Sequence, residues 1–244
     1  MRSGRHHTLE APGHDHHHRS ISSGGARAAV FGVSDGLVTN VSLILGMAGA
    51  GASQGVVRLA GLAGLIAGAF SMASGEYLSM RAQTELFERE LALERREIAR
   101  RPEGERRELV KIYENRGVDP EAARRLADEM MRTPELALET HAREELGIDP
   151  NALGSPVLAA ASSFATFALG ALLPLIPWLF TGGNGAIVAS VVIGVLAAVG
   201  VGIALSYFTG RPWWFAAGRQ LGLTAIAAGV TYGIGRAVGI SNIH

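Results

Sequence analysis

The stretch that decides the fold is Val56-Val-Arg-Leu-Ala-Gly-Leu-Ala-Gly-Leu-Ile-Ala-Gly-Ala-Phe-Ser-Met72-Ala-Ser-Gly-Glu76-Tyr-Leu-Ser-Met80, followed at once by Arg81-Ala-Gln-Thr-Glu-Leu-Phe-Glu-Arg-Glu-Leu-Ala-Leu-Glu94-Arg-Arg-Glu97-Ile-Ala-Arg-Arg101. The first part is apolar over 25 residues, enough at ~1.5 Å per residue to cross a hydrocarbon core of roughly 30 Å. No proline or turn signal separates it from the charged part. One helix is therefore expected to cross a bilayer and run on beyond it, with Leu86, Leu91, Leu93 and Ile98 as a partial apolar stripe.

Outward from this stretch, Ala28–Ala50, Val157–Phe180, Ala186–Phe208 and Trp213–Val238 are also predominantly apolar and long enough to span. Helices of a soluble bundle would carry a polar face along their length, and these do not. An all-α membrane protein with five spans is the expected class. Charge is partitioned in the same way. Of 22 acidic residues, 18 fall in 81–150, while the 94 residues after Pro150 contain no acid and only Arg211, Arg219 and Arg236 as Lys or Arg. A polar helical insert thus stands between the second and third spans. Arg2, Arg5, Arg19, Arg27, Arg211 and the 14 Lys/Arg of the insert fall on one side of the membrane, which the positive-inside bias makes cytoplasmic. Arg58, Arg219 and Arg236 fit less well, with Arg58 and Arg236 expected to snorkel from span ends. No cleavable signal peptide is evident. Cysteine is absent, which excludes disulfides and thiolate metal ligands. The use of 21 Arg against a single Lys points to coding bias and a prokaryotic plasma (inner) membrane, not to nucleic-acid binding.

The organisation expected is a His-rich cytoplasmic tail over residues 1–25, spans one and two over 26–80, the insert over 81–150, and spans three to five over 151–244. The tail holds His6, His7, His14, His16, His17 and His18 among Gly, Pro and Ser, a composition that cannot bury a core. Within the insert, Pro102-Glu-Gly104 reads as a turn before a helix from Glu105 to Asn115. Asp119-Pro and Thr133-Pro each read as an N-cap followed by proline at the first helical position, and Gly147 as a C-cap. The insert looks apolar-poor enough to need dimer contacts or metal for stability. Gly61, Gly64, Gly68, Gly194, Gly200 and Gly202 are expected at close helix approaches, and Pro174 and Pro177 to kink the third span.

Two carboxylates lie inside apolar spans, where ionisation is costly unless they are paired, hydrated or metal-bound. Asp35, within Phe31-Gly-Val-Ser-Asp35-Gly-Leu-Val-Thr-Asn40, is suited to trade a proton for a cation, or to tie one helix to another. Met72 and Glu76 are four apart and share a helix face, although a lone Met is ordinarily packing. In the insert, Glu94 with Glu97 and Glu105 with Glu108 can each present two hard oxygen ligands on one face. Their interleaving with Arg95, Arg96, Arg106 and Arg107 fits a solvated, ion-paired helix equally. A di-iron oxidase would need Glu-x-x-His motifs, but His141 has Leu138 at that distance. No phosphate loop, nucleophile elbow or zinc-protease helix occurs, so no enzyme is indicated.

The motifs around Asp35 and Glu76, the Glu-rich helix after them and Glu145-Leu-Gly together resemble the vacuolar iron transporter family from about Ala26 onward. The resemblance implies a homodimer of five-span subunits that exchanges cytosolic Fe²⁺ for protons. It implies Asp35 and Met72 on the translocation path with Glu76 nearby, and Glu94, Glu97, Glu105, Glu108 and Glu145 in a cytoplasmic metal site. Where plant-like members carry a Met-Met pair, this chain has His141-Ala142, so His141 would substitute an imidazole for a thioether. The function expected is proton-coupled export of Fe²⁺, extending to Mn²⁺, Co²⁺ or Zn²⁺, with no bound cofactor. A membrane-anchored storage or sensing protein and a passive divalent-cation channel are the alternatives.

Overall fold

The computed structural model describes residues 24–151 and 153–241, and the His-rich residues 1–23 with their expected role lie outside the described ones. Every described element is a helix. They are α1 (Gly24–Gly49), α2 (Gln54–Arg100), α3 (Pro102–Asn115), α4 (Pro120–Met130), α5 (Pro134–Glu144), α6 (Pro156–Phe180), α7 (Gly183–Thr209) and α8 (Trp213–Ser241). Five of these, α1, α2, α6, α7 and α8, are long and apolar enough to cross a membrane.

The continuous reading of the opening stretch holds: α2 runs unbroken for 47 residues, about 70 Å. Two boundaries differ from expectation. The break between α2 and α3 falls on Arg101 alone, with Pro102 already the first residue of α3, so Pro102-Glu-Gly104 is not a turn. Proline needs no N–H at a first helical position, which lets the next helix start immediately. Helix α5 stops at Glu144, and Gly147, with φ of +65°, turns the chain so that Ile148 N–H reaches Ala142 O at 2.8 Å. The two N-caps stand as read: Asp119 accepts from Glu121 and Ala122 N–H, and Thr133 Oγ1 from Leu136 N–H.

Helix α1 is the hub, packing against each of the other four long helices, while α2 also packs along α6. Its closest approach is to α6. A Cβ on Gly36 would run into Phe167 O, and one on Gly170 into Val33 O, so backbone meets backbone there. Of the glycines singled out, Gly61, Gly64, Gly68, Gly194 and Gly202 do face a neighbour, but Gly200 faces open space. Helix α6 remains helical through Pro174 and Pro177. Carbonyls around these prolines are met from other helices: Asn40 Nδ2 donates to Ala171 O at 2.6 Å and Ser190 Oγ to Pro174 O at 2.7 Å. Arg58 does not simply snorkel outward. Its Nε donates to Trp178 O at 3.1 Å while Gln54 Nε2 donates to Thr181 O, so both satisfy carbonyls at the end of α6.

The insert has apolar cores of its own. Leu109, Val110 and Tyr113 of α3 pack on Ala123 and Ala127 of α4, and Ile98 of α2 packs on Ala137 and Leu138 of α5. Burial of this kind contributes about 25 cal/mol per Å² of apolar surface, so the insert has more internal support than its composition suggested.

Candidate metal centre

The end of α2, the start of α3 and the end of α5 converge on one point. Glu94, Glu105 and His141 can each offer a ligand atom there, all within 4.8 Å of one another, and all three residues are buried. His141 Nδ1 lies 3.2 Å from Glu94 Oε1, 4.0 Å from Glu105 Oε2 and 3.5 Å from Glu145 Oε2. Glu97, Glu108 and Glu145 are exposed, and the charge of each acts on Glu94.

Local sequence explains the convergence. On α2 the side chains of Thr84, Phe87, Leu91, Glu94 and Ile98 recur at three- and four-residue intervals and turn inward, so Glu94 occupies a core position. Glu105, Leu109 and Tyr113 do the same on α3, and Leu138 and His141 on α5. The helices must bury these stripes against one another, and burying the stripes brings the three polar groups together.

The electrostatics are unusual for a helical module rich in arginine. Arg81 pairs with Glu85, Arg106 with Asp128, Arg116 with Glu144, Arg125 with Glu121, Arg132 with Glu129, and Arg143 with Glu139 and Asp149. None of Glu94, Glu97, Glu105, Glu108 or Glu145 has an Arg or Lys partner among the described residues. Arg107, which lies between two of them in sequence, turns back to Glu103 O. Burial, then the negative charges of Glu145, Glu105, Glu97 and Glu108, push the Glu94 carboxyl up to about 7. Glu105 is raised for the same reasons, burial first, with Arg101 opposing. Glu94 Oε1 and both ring nitrogens of His141 are buried without a hydrogen bond. Buried polar atoms ordinarily have partners, and a carboxylate-imidazole set of this kind suits a divalent first-row cation.

The intramembrane candidates are arranged differently. Asp35 is exposed on α1, and among the described residues only the Thr39 hydroxyl donates to its side chain, at 3.5 Å. Met72 packs against the cluster of Ala69, Phe167 and Ala171, and Glu76 is half-buried. No hydrogen bond or ion pair joins Asp35, Met72 and Glu76 among the described residues. Sequence reading passed over Ser34 and Gln220, which hydrogen-bond between α1 and α8 at 3.1 Å beside Asp35. Two polar residues inside apolar spans were the available signal.

Comparison with known proteins finds relatives along most of the chain. The vacuolar iron transporter 1 of Oryza sativa subsp. japonica is 32% identical, over 94% of this chain and 93% of its own length. A vacuolar iron transporter of Acanthamoeba castellanii is 37% identical over 88% of this chain and 78% of its own. The vacuolar iron transporter 1 of Arabidopsis thaliana is 33% identical over 92% and 91%. Residues 26–236, which take in the candidate metal-ligand cluster and all five spans but for the last residues of α8, match the family described as VIT, and the chain belongs to the VIT family.

Proposed function

We propose that the chain is a proton-coupled transporter that moves Fe²⁺, and with it Mn²⁺, Co²⁺ or Zn²⁺, out of the cytosol. Its family consists of transporters, not enzymes, and its relatives are named as iron transporters. The observation that carries the reading is the cluster of five glutamates and His141, in which no glutamate forms an ion pair with Arg or Lys among the described residues. A solvated helical face would have paired those acids, as the module pairs its others.

In this reading residues 81–150 are a cytoplasmic capture domain, and residues 26–80 and 151–244 form the membrane unit. The His-rich residues 1–25 lie on the same side. Glu94, Glu105 and His141 bind the ion, with Glu97, Glu108 and Glu145 drawing it in and completing the ligand set. Asp35 and Met72 receive it in the membrane, with Glu76 as a carrier of metal or proton. Protonation of Asp35 from the far side releases the cargo. An exposed carboxylate in an apolar span needs cover, which favours a homodimer that closes over Asp35. The membrane is a prokaryotic plasma membrane.

Flux of Fe²⁺ and Mn²⁺ into liposomes, measured with internal pH and with or without an imposed pH gradient, tests this. Uptake driven by the gradient with proton counterflow is expected. Flux without proton movement would mean a channel, and binding without flux a storage or sensing protein.

A further inference from the structure

Ser34 Oγ donates to Gln220 Oε1 at 3.1 Å, which marks a point where α1 and α8 touch. Further along, Thr231 Oγ1 donates to Ser42 O at 2.8 Å and Gly235 lies against Gly46. Residue numbers rise together along the seam, so the two helices are parallel. In a parallel pair, the residue after the contact on one helix and the residue before it on the other are each rotated by about 100° towards the same side. Those residues are Asp35 and Arg219. The opposite side of the pair is taken by α7, whose Gly194 meets Val41 of α1 and whose Gly202 meets Ala217 of α8.

Asp35 and Arg219 are both exposed on the open side. Their levels along the helices differ by two residues, about 3 Å, and packed helix axes lie roughly 8–10 Å apart, within the reach of an extended arginine. The Arg219 side chain has no hydrogen bond or ion pair among the described residues. No acid follows Pro150, so α6, α7 and α8 offer it no carboxylate. An unpaired cation and an unpaired anion on one apolar face are each costly, and pairing removes both costs.

We propose that Arg219 is the counter-ion of Asp35, forming an ion pair within one chain that a divalent cation displaces. The pairing stands whether or not Asp35 carries metal. Only its displacement rests on the transport reading, so the decisive test is run without metal. Asp35→Asn, Arg219→Gln and the double variant are compared with the parent chain by thermal unfolding in lipid nanodiscs. Each single variant is expected to lose stability, Arg219→Lys to lose less than Arg219→Gln, and the double variant to be no weaker than the worse single one. Losses that add, or single variants as stable as the parent, would overturn the pair. A second measurement exploits the absence of cysteine. Asp35→Cys with Arg219→Cys, treated with a short bifunctional thiol reagent, should link within one chain; no link, or a link between two chains, would refute the proposal.

Discussion

Glu94 occupies a position that the rest of its helix reserves for core side chains, between Leu91 and Ile98. Its carboxyl, held up to about 7 by burial and by four neighbouring glutamates, is largely protonated at mildly acidic pH. Metal must displace that proton, so affinity for Mn²⁺ should rise as pH increases through about 7 and fall below it. Glu94→Gln, which keeps the shape and removes the charge, should weaken Mn²⁺ binding on the order of tenfold or more and flatten that pH dependence. Isothermal titration of the purified protein between pH 5.5 and 8 reads both effects. Stability moves the opposite way. A carboxyl whose folded-state pKa lies above its ordinary 4.5 favours the fold while protonated. The metal-free protein should therefore lose stability as pH rises from about 4.5 to about 7, and Glu94→Gln should reduce that loss. Thermal unfolding without metal across this range, showing the same slope in parent and variant, would contradict the assignment.

At the level of helices, the long α2 and the two Pro-headed helices α4 and α5 were legible because each carries a local signal: an unbroken run, or a cap followed by proline. The candidate metal cluster was only half legible. Spacing paired Glu94 with Glu97 and Glu105 with Glu108, yet the structure buries one member of each pair and leaves the other exposed. Which member turns inward is decided by the inward stripes of α2 and α3, and of the stripe read on α2 only Leu91 and Ile98 turn inward while Leu86 and Leu93 are exposed, so the buried face is fixed only once the helices have partners. His141 was identifiable only through the resemblance, because no spacing rule connects it to residues 36 and 47 positions earlier. Helix contacts show the same limit. The spans are glycine-rich throughout, but crowding at Gly36 and openness at Gly200 depend on how the helices cross. Gly36→Ala should destabilise the α1–α6 crossing by about 1–3 kcal/mol, as overpacking does. Gly200→Ala should be neutral or stabilising by up to about 1 kcal/mol through helix propensity. Denaturant unfolding of the two variants side by side checks the contrast, and equal losses would count against the crossing described.

Across the whole molecule, charge is separated from span: the acids crowd at the far end of α2, and the spans after residue 150 carry none. Under the proposed function, such a layout puts metal capture outside the spans and leaves a single exposed carboxylate, Asp35, on α1, the hub of the long helices. If capture and translocation are distinct steps, they should fail separately. Replacing Glu94, Glu97, Glu105, Glu108 and Glu145 together by Ala should abolish metal binding by the insert. It should raise the metal concentration needed for half-maximal flux, while leaving flux at saturating metal within a few-fold of the parent. Asp35→Ala should do the reverse, stopping flux at every concentration while the insert still binds Mn²⁺ with parental affinity. Liposome flux and equilibrium binding, measured on the same two preparations, separate these outcomes. Both variants should unfold cooperatively, because the α1–α6 crossing and the apolar clusters of the insert keep all their residues, although Glu94→Ala and Glu105→Ala shorten two buried side chains and should cost the five-fold variant some stability. If the five-fold variant lost flux at all concentrations, the insert would be part of the conduction path itself, since a capture site can be bypassed by mass action and an obligatory one cannot.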